Sequence, residues 1–303
     1  MLVNYLYLIK IIINHDYQDK RDWREYNEHL VKRGWFYLST DFVMNWDEEL
    51  KKMNKSKNGR PYRYPETFIQ FCGLTYAFLH LPYRQLEGFL QALSGFVPDL
   101  KSADYSTLWQ RIADLELNIP IPDNEIVVAV DSTGMKVTSR GDWMREKHGV
   151  ERKGWIKVHI AVDVETRRPI TFEITDERIT DQEMVKPLLT DIKLEDSLMD
   201  GAYDKEEVFK FMKEKGVAMP GIKIRKNAVV KAGTERAESV LEFKKYGYDS
   251  WKKVHQYGRR WAAESVFSAI KRIFGETVRA TSTEGMFSEI RRMLTFYTII
   301  LSV

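Results

Sequence analysis

The chain has 303 residues, of which 44% are hydrophobic, 13% aromatic and 30% charged, with a formal net charge of +3. That length exceeds one small domain and that composition supplies a real core, so neither a disordered chain nor a disulfide-held miniature is expected. The near balance of charge announces no polyanion partner for the whole surface, but leaves room for a local basic groove. The single cysteine, Cys72, lies in an apolar run and can form no internal disulfide, which fits a reducing cytoplasm.

At the N-terminus, LVNYLYLIKIIIN is interrupted by Asn4 and Lys10 and falls short of the roughly 20 apolar residues that span a bilayer. It carries no basic leader or small-residue cleavage site. The apolar tail LTFYTIILSV is shorter still. Both ends read as packed elements, and no membrane segment is expected. Residues 20–119 read as helical. In PETFIQFCGLTYAFLHL, the side chains Phe68, Phe71, Cys72, Tyr76 and Leu79 follow helical intervals of three and four. LPYRQLEGFLQAL gives a second helix from near Pro82, and DYSTLWQRIADL a third with Asp104 or Ser106 as N-cap. Three short helices with tight connections suit a helix-turn-helix unit, with Ser106, Thr107, Gln110 and Arg111 near the start of the reading helix. They suit an ordinary helical subdomain equally well. The basic, aromatic-interleaved KKMNKSKNGRPYRY is either a solvated linker or a segment that follows a phosphate backbone.

NIPIPDNE reads as a boundary, dividing a helical domain at 1–119 from a second domain at 120–303. Beyond it, EIVVAVD is a continuous β-branched run, and WIKVHIAVD and PITFEIT alternate, giving three strands. A helix from Asp181 (DQEMVKPLLTDI), a strand SLMD, a helix KEEVFKFMKEKG closed by Gly216 and a weak strand VAMPGI follow. After a charged segment of mixed character comes the late helix YGRRWAAESVFSAIK. The expected fold is α/β with a mixed sheet.

Three acids occupy informative places. Asp131 ends EIVVAVD before a turn-like Ser-Thr-Gly, and Asp200 ends SLMD before Gly201. The carboxyl ends of strands are where α/β sheets place their sites. Either residue alone suits a turn or cap; the same device twice on one sheet suggests a site. In the late helix, at about 100° per residue, Tyr257, Arg260, Glu264 and Lys271 fall within an arc of about 60° if the helix is regular from Tyr257. A plain i,i+4 ion pair accounts for Arg260 and Glu264 but not for the four-residue stripe. Three converging carboxylates make a hard, oxygen-rich site suited to Mg²⁺ or Mn²⁺ rather than zinc. Two such ions serve in-line phosphoryl displacement, with Tyr257, Arg260 and Lys271 gripping the substrate phosphate.

AVDSTG around Asp131, DGAYD from Asp200 to Asp204, and the spaced set Tyr257, Arg260, Glu264 and Lys271 occur here in one order. In these the chain resembles the DDE transposases of prokaryotic insertion sequences, in the broad group of families four and five. The resemblance runs from about Glu125 to the end, and YPETFIQFCGL to DYSTLWQRI also looks like the family's N-terminal DNA-binding part. It implies an RNase H-like mixed-sheet catalytic core with an N-terminal all-helical, helix-turn-helix-like domain. It also implies that Asp131, Asp200 and Glu264 are the acid triad and two-metal ligands, and that Tyr257, Arg260 and Lys271 contact DNA near the transposon end. Some relatives carry a large β-rich insertion after the second acid. The 63 residues between Asp200 and Glu264 (201–263) leave room for at most a small one within 201–256.

Among the remaining residues, Asp204 reads as a cap of the following helix, and Asp163, ending WIKVHIAVD, is the rival triad acid. Lys157 and His159 share a strand face, read as exposed or as phosphate contacts. His159 has no zinc-spaced partners. Lys223, Arg225 and Lys226 form a basic strand or loop, near DNA in similar proteins or simply a charged edge, and Lys226 and Arg111 are taken as candidate DNA contacts. No nucleotide loop is present, so no nucleotide cofactor is expected. The expectation is therefore a cytoplasmic transposase that binds terminal inverted repeats, cleaves with two divalent ions and transfers the strand to target DNA, acting as a homodimer or larger assembly. A hydrolytic nuclease on the same fold and a non-catalytic DNA-binding descendant are the alternatives.

Overall fold

The computed structural model describes residues 22–115, 119–137 and 155–301. The apolar N-terminal stretch read above as a packed element lies outside them. Helix α1, Trp23–Leu38, starts at Asp22, whose carboxylate accepts from the N–H groups of Arg24 and Glu25. It belongs to a compact unit ending at Ser39; the second unit is Thr40–Ser302 and runs across the proline-rich segment near residue 120.

In the second unit, helices α2 (Trp46–Asn54), α3 (Glu66–Leu79), α4 (Tyr83–Ser94) and α5 (Tyr105–Ala113) come first. α4 begins directly after Pro82, and α5 is capped by Asp104, which accepts from Ser106 and Thr107. The apolar intervals of α3 predict one buried face. In the structure Ile69, Leu74 and Ala77 are buried besides Phe68 and Cys72, while Leu79 is half exposed. The reason is that α3 touches both α5 and the C-terminal helix α10 (Thr283–Leu301), which between them cover more than one stripe.

The sheet has six strands: β1 (Ile126–Val137), β2 (Trp155–Asp163), β3 (Pro169–Thr175), β4 (Leu194–Met199), β5 (Gly221–Ile222) and β6 (Thr277–Val278). Their order is β3-β2-β1-β4-β5, with β6 beside the far end of β1. The first three strands are antiparallel neighbours, whereas β4 and β6 run parallel to β1, and β5 parallel to β4. This mixed sheet, flanked by helices, is consistent with the RNase H-like core implied by the resemblance. The buried residues Val128, Val130 and Ala161 pack with α6 (Val185–Leu189) and α7 (Glu206–Glu214) through Leu188, Leu189, Phe209 and Met212. Each such fully buried aliphatic side chain stabilises the fold by roughly 2 kcal/mol. Thr133, Met135 and Val158 meet Phe267 and Ile270 of α9 (Trp261–Phe274).

Four local expectations are corrected. β1 does not end at Asp131; it continues through Ser132, Thr133 and Gly134, because β2 pairs with it from Val128↔Asp163 to Lys136↔Trp155. Gly134 is therefore no turn glycine. A Cβ there would stand 2.7 Å from the Trp155 ring, so its bareness makes room for that indole. The helix from Asp181 is a 3-10 turn, Asp181–Met184, followed by the short α6; the change comes just ahead of Pro187, whose missing N–H disfavours a regular helix through it. The charged segment before Trp251 is largely helix α8 (Arg236–Val254), kinked at Gly247 with φ +73°. Finally, Tyr257–Arg260 is a 3-10 turn and α9 begins at Trp261, so Tyr257 does not share a regular helical stripe with Glu264. No helix of the described residues is long and apolar enough to cross a membrane.

Candidate active site

The position of the site follows from a mismatch in strand length. On one side β1 keeps its antiparallel partner β2 through Asp131↔Ile160 and beyond. On the other, β4 ends at Met199, with Ala129↔Leu198 as the last pair, and β6 joins only at Lys136. Between them β1 has an open edge from about Val130 to Met135. Asp131 lies at the start of that opening, and Asp200 is the first residue beyond β4, so two acids meet where the parallel ladder stops. The 3-10 turn Tyr257–Arg260 sits against β1 and β4 there, and α9 leads away from it with Glu264 in its first turn. A carboxylate in that turn is favoured by the positive end of the helix dipole.

Two of the acids are joined by one cation. Arg260 Nη1 lies 3.3 Å from Asp131 Oδ2, and its Nη2 donates to Glu264 Oε1. Asp131 Oδ1 accepts from its neighbour Ser132 N at 2.9 Å, and Asp200 Oδ1 accepts from Ala202 N at 2.7 Å, opening the 3-10 turn Gly201–Tyr203. Burial pushes the Asp131 carboxyl above its ordinary range. The Ser132 N–H and the Arg260 guanidinium oppose this, while the charges of Asp200 and Glu264 add to it. Asp131 thus senses the charges of the other two.

Among the described residues, no three His, Cys, Asp or Glu side chains are gathered closely enough to hold a metal as they stand. Arg260 bridges Asp131 and Glu264 as their counter-ion. The donor chemistry nevertheless fits a hard divalent cation: all three are carboxylates, and a positive charge already stands between two of them.

The other signature residues have defined tasks. Tyr257 is buried, and its hydroxyl donates to Met199 O at 3.2 Å, fixing the end of β4 just before Asp200. Burial raises its phenol to about 12, with the Asp200 charge adding to this against Arg260. Lys271 Nζ donates to Thr133 Oγ1 at 2.8 Å and to Gly134 O at 3.1 Å, filling part of the open β1 edge. Beside Asp200 opens a cavity of about 590 Å³ walled by Lys223, Arg225, Lys226, Lys252 and Arg260, with Tyr248, Tyr257 and Trp261 interleaved. Lys226 therefore shares a cavity with Asp200. Arg111 does not: it pairs with Glu66 Oε2 at 2.8 Å, donates to Tyr64 O and lies over the Tyr62 ring. The Ser106 and Thr107 hydroxyls likewise turn in to Asp104.

Asp163 caps the turn after β2, accepting from Glu165 N and Thr166 Oγ1. Asp204 is not the cap of α7, whose N-cap residue is Lys205. Its carboxylate is held by Arg236 Nε and Nη2 and by Arg225 N. Lys157 and His159 do share a face of β2, but they are not exposed positions: His159 is fully buried, and Lys157 pairs with Asp181 at 2.9 Å. Sequence reasoning passed over Lys252, Trp261 and Arg236. The first and last lie on α8, whose kink hides its periodicity. Trp261 stands next to Arg260 and is 69% exposed, and an indole left in solvent beside such a signature is a signal that could have been used.

Two family models described as transposase DDE domains match the chain, one over residues 31–140 and the other over residues 122–299, more than half its length. The chain is also similar to a piggyBac transposase in a synaptic complex with hairpin DNA, at 9% identity and a TM-score of 0.38 over 90% of this chain and 74% of that one. That likeness is too distant for any residue to be carried across.

Proposed function

The chain belongs to the DDE transposase family, and from that premise we propose that it cuts DNA at the ends of a mobile element and joins the freed 3′-hydroxyl to target DNA. The observation that carries this reading is the meeting of Asp131 and Asp200 where the β1–β4 ladder stops, with Glu264 tied to Asp131 through Arg260. Asp131, Asp200 and Glu264 would hold two divalent ions, Mg²⁺ or Mn²⁺, which when bound activate the attacking oxygen and neutralise the leaving one.

The protein's own groups do the rest. Arg260, on the wall of the cavity beside Asp200, would present a guanidinium fork to a phosphate of the bound strand. Lys223, Lys226 and Lys252 line the cavity beside Asp200, where a phosphate chain gains from their charge, and Trp261 and Tyr248 offer faces to unpaired bases. Tyr257 acts from beneath, holding Met199 and so the backbone that carries Asp200. Joining exchanges one phosphodiester for another and needs no nucleotide. The helices up to residue 119 would supply recognition of the terminal inverted repeats, and two ends are joined by at least a dimer.

The test uses purified protein, Mg²⁺ or Mn²⁺ and DNA carrying an element end. Wild type yields cut ends and strand-transfer products; Asp131→Ala, Asp200→Ala and Glu264→Ala each lose both, by about 10³-fold or more, while still binding the end. Cutting without joining would assign a hydrolytic nuclease instead. Undiminished cutting by any one variant would remove that residue from the chemistry.

A further inference from the structure

Behind the acids, on the side of the sheet away from α9, lies a group of buried polar side chains that the proposed chemistry does not use. His159 on β2 is fully buried. Its Nε2 is 2.9 Å from Thr175 Oγ1, and its Nδ1 is 3.5 Å from Asp181 Oδ1. Lys157 Nζ, two residues earlier on the same face, is 2.9 Å from that oxygen as an ion pair and donates to Ile179 O at 3.0 Å. Asp181 opens the 3-10 turn before α6, and its neighbour Gln182 donates to Ala202 O in the turn that Asp200 caps. Tyr203 ends that turn. Its ring is buried in the core with Val128 and Val130, and its hydroxyl is enclosed.

Among the described residues, Tyr203 Oη and His159 Nδ1 are buried and make no hydrogen bond with any of them, while the buried Asp181 Oδ1 has Lys157 as its ion-pair partner. Native structures leave few such atoms, and of these two the His159 nitrogen stands 3.5 Å from Asp181 Oδ1. Burial raises the Tyr203 phenol first; of the neighbouring charges Asp181 acts most strongly, then Asp131 and Asp200. The Gly201–Tyr203 turn thus carries Asp200 at its start and the buried Tyr203 at its end.

We propose that Asp181, His159 and Tyr203 are positioning residues: through the Gly201–Tyr203 turn they fix the Asp200 carboxylate relative to Asp131. Lys157 and His159 hold Asp181 to β2, its neighbour Gln182 holds the turn through Ala202 O, and the turn carries Asp200. Asp181 is no metal ligand in this arrangement, since Lys157 already neutralises it on the opposite face. The inference rests on the reading of the three acids as a cation site. Side chains one step removed from metal ligands commonly set affinity by 10–100-fold (about one to two powers of ten).

The experiment measures Mn²⁺ binding to the full chain without DNA, by calorimetry, together with thermal unfolding of the metal-free protein. Tyr203→Phe and Asp181→Asn are each expected to weaken Mn²⁺ binding by about tenfold, and the double variant by no more than the worse single one, because they act along one path. Tyr203→Phe is the decisive change, being nearly isosteric. An isolated buried hydroxyl is a liability, so if it stood outside any network its removal would raise the melting temperature and leave Mn²⁺ binding untouched, which would overturn the proposal. Asp131→Ala is the control. Loss of Mn²⁺ binding there with wild-type binding in Tyr203→Phe overturns the network alone; wild-type binding in Asp131→Ala overturns the cation site and the network together.

Discussion

The Asp204 and Arg236 pair permits a quantitative expectation. Asp204 has a fully buried side chain and receives both Arg236 Nε and Nη2, the latter at 2.7 Å, together with Arg225 N at 3.0 Å. Arg236 is itself only 18% exposed. Asp204→Ala strands that guanidinium and one backbone N–H with little access to water. Removing one partner of a buried pair costs about 3–5 kcal/mol, and the partial exposure of Arg236 places this case near 3. Set against a typical total of about 5–15 kcal/mol, this is a severe loss. Urea unfolding followed by circular dichroism should show the midpoint fall by about 1 M at a slope of about 3 kcal/mol per M. Asp204→Leu combined with Arg236→Met should recover much of the loss, since an apolar pair leaves no buried charge, and the coupling from the cycle should reach at least about 2 kcal/mol. A loss below about 1 kcal/mol in Asp204→Ala would refute the reasoning. The pair matters beyond stability, because Arg225 N and Arg225 Nε, the latter on Gly201 O, pin the basic cavity wall to the turn that Asp200 opens.

Two further expectations concern residues whose side chains face inward. Tyr257→Phe should lower stability by about 1 kcal/mol, the usual worth of one buried hydrogen bond to Met199 O, and leave DNA affinity unaltered; weaker DNA binding at every salt concentration would instead make the phenol a phosphate contact. His159 has its imidazole driven down to about 4 by burial, with the Lys157 charge also lowering it and the Asp181 charge resisting. The folded state therefore excludes the protonated ring, so this contribution to stability is fully present above the unfolded pKa of about 6.5 and is lost as pH falls toward about 4, at about 1.4 kcal/mol per unit. Unfolding midpoints measured from pH 7 to 4 should fall more steeply for wild type than for His159→Gln, and parallel curves would remove His159 from the acid response.

What the sequence made legible was set by local chemistry. The β-branched run before Asp131 and the alternation in β2 and β3 predicted strands where strands occur, and the spacing of Arg260 to Glu264 and Lys271 survived because α9 is regular from Trp261 onward. What escaped were features made by distant pairings. Nothing near Asp204 announces that its partner lies at position 236, and a polar His159 in an alternating strand gives no warning that helical turns cover its face. The Gly-Tyr-Asp stretch at 247–249 broke the pattern of α8, so the segment was read as charged and of mixed character and Lys252 of the cavity wall was passed over. Tyr257 was matched by residue type but misjudged in direction, because the 3-10 turn rotates its ring under β4 rather than out along the helix.

The length of β1 resolves why the acids stand where they do. A strand that stopped at Asp131 would leave this carboxylate on a loop, free to point into solvent and costly to order at about 1–2 kcal/mol of backbone entropy for each residue fixed. Because β2 continues the pairing as far as Trp155, Asp131 is held by a ladder on one side while its other side is open to the 3-10 turn. Lys271 then occupies Gly134 O and Thr133 Oγ1 on the exposed stretch, which both satisfies the backbone there and clamps α9 in register with β1. Glu264 is thereby fixed two turns earlier on the same helix, and Arg260 one turn before that. Lys271 thus contributes to the site through the strand edge it closes, and its distance from the acids along α9 is what allows one helix to set the edge and present the carboxylate together.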